Sequence, residues 1–251
     1  MTDLIVVLLA GLLAGLLNAV GGGGTFVALP ALVAAGMPSV TANAATTVAL
    51  LPAATASVWV LRRDLTPLQK VPTRALTAIS VLGGAAGAVL LLALPALAFD
   101  AVVPWLLAFA TLVLAFGRRL TRLFRTSFSL SPGIMLTGQF VLALYGGYFG
   151  GAVGMLMVAF WTVGLGHELA ALNPMRVAQL AAIYLTAAVI FLFGSDVVES
   201  PLLLGVLVVG AVAGGFGGGH VARRLPAWSL RVFVLTSAIV ATTLYFVQGP
   251  G

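Results

Sequence analysis

Arg176 is the one basic residue of this chain that falls several residues inside an apolar run and cannot be given to a loop. An arginine in hydrocarbon is costly, so it should face a cavity or a partner. Asn173 precedes it by about one helical turn, and Gln179 and Tyr184 follow it by three and eight residues, close to one helical stripe. At the matching place in the first half of the chain the stripe reads Asn43, Thr46 and Thr47. These residues offer hydrogen-bond donors and no negative charge, and with one guanidinium among them they suit an anion. Structural readings compete with this one. Arg176 could extend its head to the membrane surface or pair with Glu168, and Asn43, Thr46 and Thr47 could bond to neighbouring helices or to their own backbone.

Other chemistries lack the residues they need. The six acids, Asp3, Asp64, Asp100, Glu168, Asp196 and Glu199, all stand at or beyond the ends of the apolar runs, so no carboxylate relay at mid-membrane is expected. His167 and His220 are the only histidines, and beyond the Glu168 beside His167 neither has a second metal ligand at helical spacing. With no cysteine, disulfides, thiolate sites and thiol catalysis are excluded. No metal, no cofactor and no enzymatic activity are expected.

A second feature could line a site. "NAVGGGG", Asn18 to Gly24, interrupts an apolar run with four glycines. "YGGYFGGAVG", Tyr145 to Gly154, does the same later. A reversal inside the membrane leaves backbone groups unpaired unless protein or a watery cavity lies against them. Glycine permits the tight reversal and the close approach of a substrate. Asn18 and Thr25 are the expected caps, and the helix that starts near Thr25 would aim its N-terminal dipole at the turn as a small anion site. For the pairs Gly11/Gly15, Gly83/Gly87, Gly210/Gly214 and Gly214/Gly218, simple helix packing is the preferred reading.

The elements that must hold these residues follow from hydropathy. Of 251 residues, 61% are hydrophobic and only 7% charged, and the apolar runs have the length needed to cross a bilayer. They do not alternate as barrel strands would. The chain reads as an all-α integral membrane protein with segments near 3–19, 24–36, 39–61, 71–94, 100–117, 132–148, 152–166, 169–193, 200–221 and 228–247. The first run has an acid and no base before its apolar core, so it is expected to be a mature helix and not a cleaved signal.

The ten segments form two sets of five, residues 1–117 and 132–251, joined by a basic linker at 118–131. A constant offset of 130 residues aligns Gly24 with Gly154, Gly36 with Gly166, Asn43 with Asn173, Gly84 with Gly214 and Gly87 with Gly217. Charge then orients the copies. Arg62, Arg63, Lys70 and Arg74 make the loop after the third segment cytoplasmic, whereas its counterpart carries Asp196 and Glu199 and no base. The copies are therefore expected to be inverted, with the linker and the connection at Arg223, Arg224 and Arg231 inside. Both termini then lie outside. The parity of crossings is met either by two full crossings plus one or by a returning hairpin plus one crossing, so each copy is expected to open with a broken or re-entrant hairpin that turns at the glycine runs; the 24–36 limb, at about 20 Å, is too short for a full span.

Where these glycines and amides stand, the chain resembles the TauE/SafE family, the sulfite exporter or 4-toluene sulfonate uptake permease class. "GLLAGLLNAVGGGGTFVALPALVAAGMPSVTANAATTVALLPA" is similar to the first-repeat signature of the family, and "LYGGYFGGAVGMLMVAFWTVGLG" to its second-repeat counterpart, with the glycine run reduced to Gly150, Gly151 and Gly154. "GGAAGAVL" and "GGFGGGHVARRLP" are similar to the helix that closes each repeat. Asn18, Gly22, Gly23, Gly24, Asn43 and Asn173 match family motif positions, and Arg176 a basic or polar one. The resemblance implies an inner-membrane permease for small sulfur-containing anions such as sulfite, sulfonates or sulfoacetate.

The expected function is export of such an anion by alternating access, with an anion-selective channel as the alternative. The expected site comprises Asn18, Gly22, Gly23, Gly24, Thr25, Asn43, Thr46, Thr47, Gly151, Gly154, Asn173, Arg176 and Gln179. The expected partners are the small anion and the lipid bilayer. A coupling proton or ion and a homodimer stay open, and nucleic acid is not expected.

Overall fold

Lipid offers no hydrogen-bond partners, so a chain this apolar must satisfy its backbone inside helices. The computed structural model of the protein describes residues 2–20, 23–68, 71–124, 131–165 and 169–224, together with 232, 235, 236, 238–240, 242 and 243; among these there is no strand. The helices are α1 (Thr2–Val20), α2 (Thr25–Ala34), α3 (Ser39–Leu61), α4 (Thr73–Ala93), α5 (Ala96–Phe124), α6 (Pro132–Tyr148), α7 (Val153–Leu165), α8 (Leu169–Gly194) and α9 (Pro201–Arg224). Among the described residues five helical stretches, Thr2–Ala19, Ser39–Asp64, Thr73–Ala93, Ala96–Val113 and Leu172–Gly194, are long and apolar enough to cross a membrane.

Local chemistry sets the helix ends. Pro38 and Pro72, which lack the N–H that continuing a helix needs, immediately precede α3 and α4. Ser131 caps α6 by accepting from the Ile134 N–H at 3.4 Å, with Pro132 at the first position. Gly36, at φ +90°, ends α2: its own N–H reaches the Val33 carbonyl and the Met37 N–H the Leu32 carbonyl. That pair of bonds needs a left-handed residue, which glycine supplies without steric cost.

Three boundaries differ from expectation. α5 does not stop at Gly117 but continues through "RRLTRLF" to Phe124, because arginine and leucine are good helix formers. Its 29 residues would extend about 43 Å, more than the ~30 Å of hydrocarbon. α5 also starts earlier, at Ala96, which places Asp100 within the helix. Asn18 lies inside the last turn of α1, and the N-cap of α2 is Gly24, which makes no side-chain cap bond. Asn18 and Thr25 are therefore not caps. Most of the last expected segment, the connection before it and residues 125–130 of the linker lie outside the described residues.

α1 packs along α9, and α4 along α6. α3 and α8 lie against each other at the centre, with α9 also on α3 and α4 also on α8. The short α2 contacts α1 and α3, and the short α7 contacts α6, α8 and α5. The closest approaches occur at glycines. A Cβ on Gly15 or Gly214 would run into the backbone of the opposite helix in the α1/α9 pair, and one on Gly87 or Gly147 would do so in the α4/α6 pair. Such spacing is the usual basis of helix association in lipid. Large apolar side chains also face outward, with Phe193 89% and Leu97 77% exposed, as a surface meant for lipid requires.

Candidate substrate-binding site

The turn between α6 and α7 is the focus of the site. Gly150 (φ +79°) and Ala152 (φ +57°) are both left-handed, an arrangement that an alanine adopts only at some cost. Ala152 lies 130 residues beyond Gly22, the offset noted in the sequence. Several groups hold this turn in place. The Phe149 and Gly150 N–H groups donate to the Tyr145 carbonyl at 2.9 and 3.2 Å, and the Tyr145 hydroxyl donates to the Gly151 carbonyl at 2.7 Å. Asn43 Nδ2, from α3, donates to the Tyr148 carbonyl at 2.9 Å. The Tyr145 and Phe149 rings meet edge to face, as do those of Phe99 and Tyr148.

The two glycine-rich breaks come together here. A Cβ built on Gly150 would lie 3.8 Å from Thr25 Oγ1 at the start of α2, and 3.7 Å from Cε1 of Tyr184 on α8. Thr25 is 2% and Tyr184 1% exposed, so the meeting point is interior.

Arg176 approaches the same turn from α8. It is only 3% exposed, so its head is enclosed by protein and does not extend into solvent. Nε donates to Asn173 Oδ1 at 3.0 Å. Among the described residues, Nη1 and Nη2 are buried and have no hydrogen-bond partner. A Cβ on Gly154 would come within 2.7 Å of Nη1, so the guanidinium rests against the bare backbone of that glycine. Leaving a buried charge unpaired costs several kcal/mol. A ligand that completes the guanidinium would remove that cost.

Among the described residues three other side chains, Asn43, Asn18 and Asp100, also hold a buried oxygen with no hydrogen-bond partner; that of Asp100 is Oδ1, in the first turns of α5. Asn43 Oδ1 is buried and unpartnered, in a residue that is fully enclosed, and Asn18 Oδ1 is likewise unpartnered in a residue 3% exposed. The remaining expected residues have other bonds. Thr46 donates to the Ala42 carbonyl at 2.8 Å and Thr47 to the Asn43 carbonyl at 3.2 Å, each on its own helix. Gly23 accepts from the Phe26 N–H at 3.2 Å. A Cβ on Gly24 would press on the Ala14 carbonyl at 2.6 Å and on Leu50, so this glycine lets α2 close on α1 and α3. Gly151 packs its bare Cα against the Phe149 ring. Gly22, His167 and Glu168 lie outside the described residues.

Gln179 belongs to a buried polar chain that sequence reasoning did not assemble. Trp161 Nε1 donates to Gln139 Oε1 at 3.2 Å, Gln139 Nε2 to Ser80 Oγ at 2.8 Å, and Ser80 Oγ to Gln179 Oε1 at 2.9 Å. Gln179 Nε2 donates to Thr77 Oγ1 at 3.1 Å. The chain ties α4, α6, α7 and α8 together, and each amide uses both its oxygen and its nitrogen, as a buried polar network must. A polar residue inside each of four apolar segments was the available signal; their mutual pairing was not.

No curated protein and no solved structure matches the chain. A family model for the sulfite exporter TauE/SafE does match it, over residues 7–245. With long apolar helices, two short helices meeting at glycine-rich breaks and an unpartnered cation beside them, the chain belongs to the TauE/SafE sulfite exporter family and is a multi-pass membrane transporter.

Proposed function

We propose that the protein moves a small sulfur-containing monoanion or oxyanion, of the sulfite, sulfonate or sulfoacetate kind, across the inner membrane by alternating access. The observation that carries this reading is the buried guanidinium of Arg176, with Nη1 and Nη2 unpartnered beside the Gly150–Gly154 turn. It supplies charge and two N–H edges where water is excluded, and the left-handed turn brings bare backbone against it. The direction proposed is export, because a negative interior favours an outgoing anion by ~2.3 kcal/mol per charge per 100 mV.

Two inverted halves are the proposed frame of the movement. The helix pairing supports two equivalent halves, since exchanging α1–α4 with α6–α9 converts the α1/α9 contact into α6/α4 and the α3/α9 contact into α8/α4, and leaves α3/α8 unchanged; their opposite orientation rests on the charges of the loops. Broken segments at matching places in two halves are where such transporters hold substrate.

Binding of sulfite, methanesulfonate and sulfoacetate to the purified protein, against Arg176→Gln, tests the reading. Loss of a charge-assisted pair predicts affinity about 10- to 100-fold weaker in the variant. Equal affinities would overturn the role given to Arg176.

A further inference from the structure

The candidate site holds unpaired acceptors as well as unpaired donors, and a bare anion can satisfy only the donors. Asn43 is the informative residue. Its amide orientation is set by geometry, since Nδ2 donates to the Tyr148 carbonyl at 2.9 Å, so the buried, unpartnered atom is the oxygen Oδ1. The bond from Asn43 and the seat of the Arg176 guanidinium lie at the two ends of one turn, Tyr148 and Gly154. Asn18, in the last turn of α1, presents a second buried amide oxygen without a partner.

From these atoms we infer that the ligand of this site is an anion that carries a hydrogen-bond donor of its own, an O–H or N–H beside its sulfonate or sulfite group, which Asn43 Oδ1 accepts while Arg176 holds the charge. The inference rests on the anion reading given above and narrows it. A buried acceptor left without a donor is penalised, so a site built this way discriminates strongly against an analogue that lacks the donor. A metal cation could also use an amide oxygen, but here it would sit near an uncompensated guanidinium. A donor attached to the anion has no such repulsion.

The test compares isethionate with ethanesulfonate by calorimetry on the purified full chain at neutral pH. The two probes share charge and sulfonate group and differ by one hydroxyl. The native protein is expected to prefer isethionate by about tenfold or more. In Asn43→Leu, checked for folding by thermal melting, that ratio should fall toward one. Arg176→Gln should weaken both probes to the same degree and keep the ratio. Equal binding of the two probes by the native protein would overturn the inference and needs no variant. If that equality came with a loss of both on Arg176→Gln, the anion reading would stand and only the donor requirement would fail. Equal probes that both bind more tightly when sodium is added would assign the amide oxygens to a cation and also overturn it. Absence of any Arg176-dependent binding would remove the anion reading and the inference with it.

Discussion

At the scale of single residues, the site depends on what is missing from a side chain as much as on what is present. Gly154 is the seat of the guanidinium, because a Cβ there would stand 2.7 Å from Nη1 of Arg176. The arginine is flexible and can give way, so Gly154→Ala should fold but displace the guanidinium. Sulfite or sulfonate affinity is expected to fall roughly tenfold, from a weakened charge-assisted bond, with little change in melting temperature. Gly133→Ala, where a Cβ meets nothing within 4 Å, is the control. Gly24, which lies 130 residues before it, has different neighbours, the Ala14 carbonyl and Leu50. Glycines at that spacing therefore do different work. The oddness of Arg176 was visible in the sequence; whether its head reached water or was enclosed was not, since that depends on helices far away in the chain.

At the scale of helices, backbone-to-backbone approach sets which pairs hold. The α1/α9 interface is closed by glycines, and a methyl group on Gly214 would meet the Leu12 carbonyl of the facing helix. Gly214→Ala is expected to destabilise the fold by about 1–3 kcal/mol through overpacking. Three residues on, Gly217 has no neighbour within 4 Å of such a methyl. There alanine should be neutral or should stabilise by up to ~1 kcal/mol through helix propensity. Thermal unfolding in detergent distinguishes the two, and equal effects would remove the packing account. The small-residue spacing that marks these interfaces was legible, but spacing alone did not name the partner helix. The polar chain from Trp161 through Gln139 and Ser80 to Gln179 shows the same limit, because its members come from four separate helices.

For the whole molecule, the charge pattern makes the sharpest prediction. The chain has no native cysteine, so single cysteines report topology without background. Arg63, exposed just after α3, and Val198, 54% exposed just after α8, each lie in the connection that follows one of the two central helices. A membrane-impermeant thiol reagent applied from outside should label Val198→Cys and spare Arg63→Cys. Labelling of both from one side would refute the inverted arrangement.

Hydropathy acts residue by residue along the chain, and it determined what is additive: a helical membrane protein, most helix ends to within a few residues, and the glycine-rich breaks. Helix propensity favours the continuation of α5 beyond Gly117. Only the tertiary structure decided which polar atoms find partners. It enclosed Arg176, joined Gln179 to Ser80 and Thr77, returned Thr46 and Thr47 to their own helix, and left Nη1, Nη2, two asparagine oxygens and one Asp100 oxygen without partners among the described residues. The reason is physical. Whether a hydrogen bond is satisfied depends on atoms about 3 Å apart in space, and the partners of these groups lie up to 105 residues away in sequence.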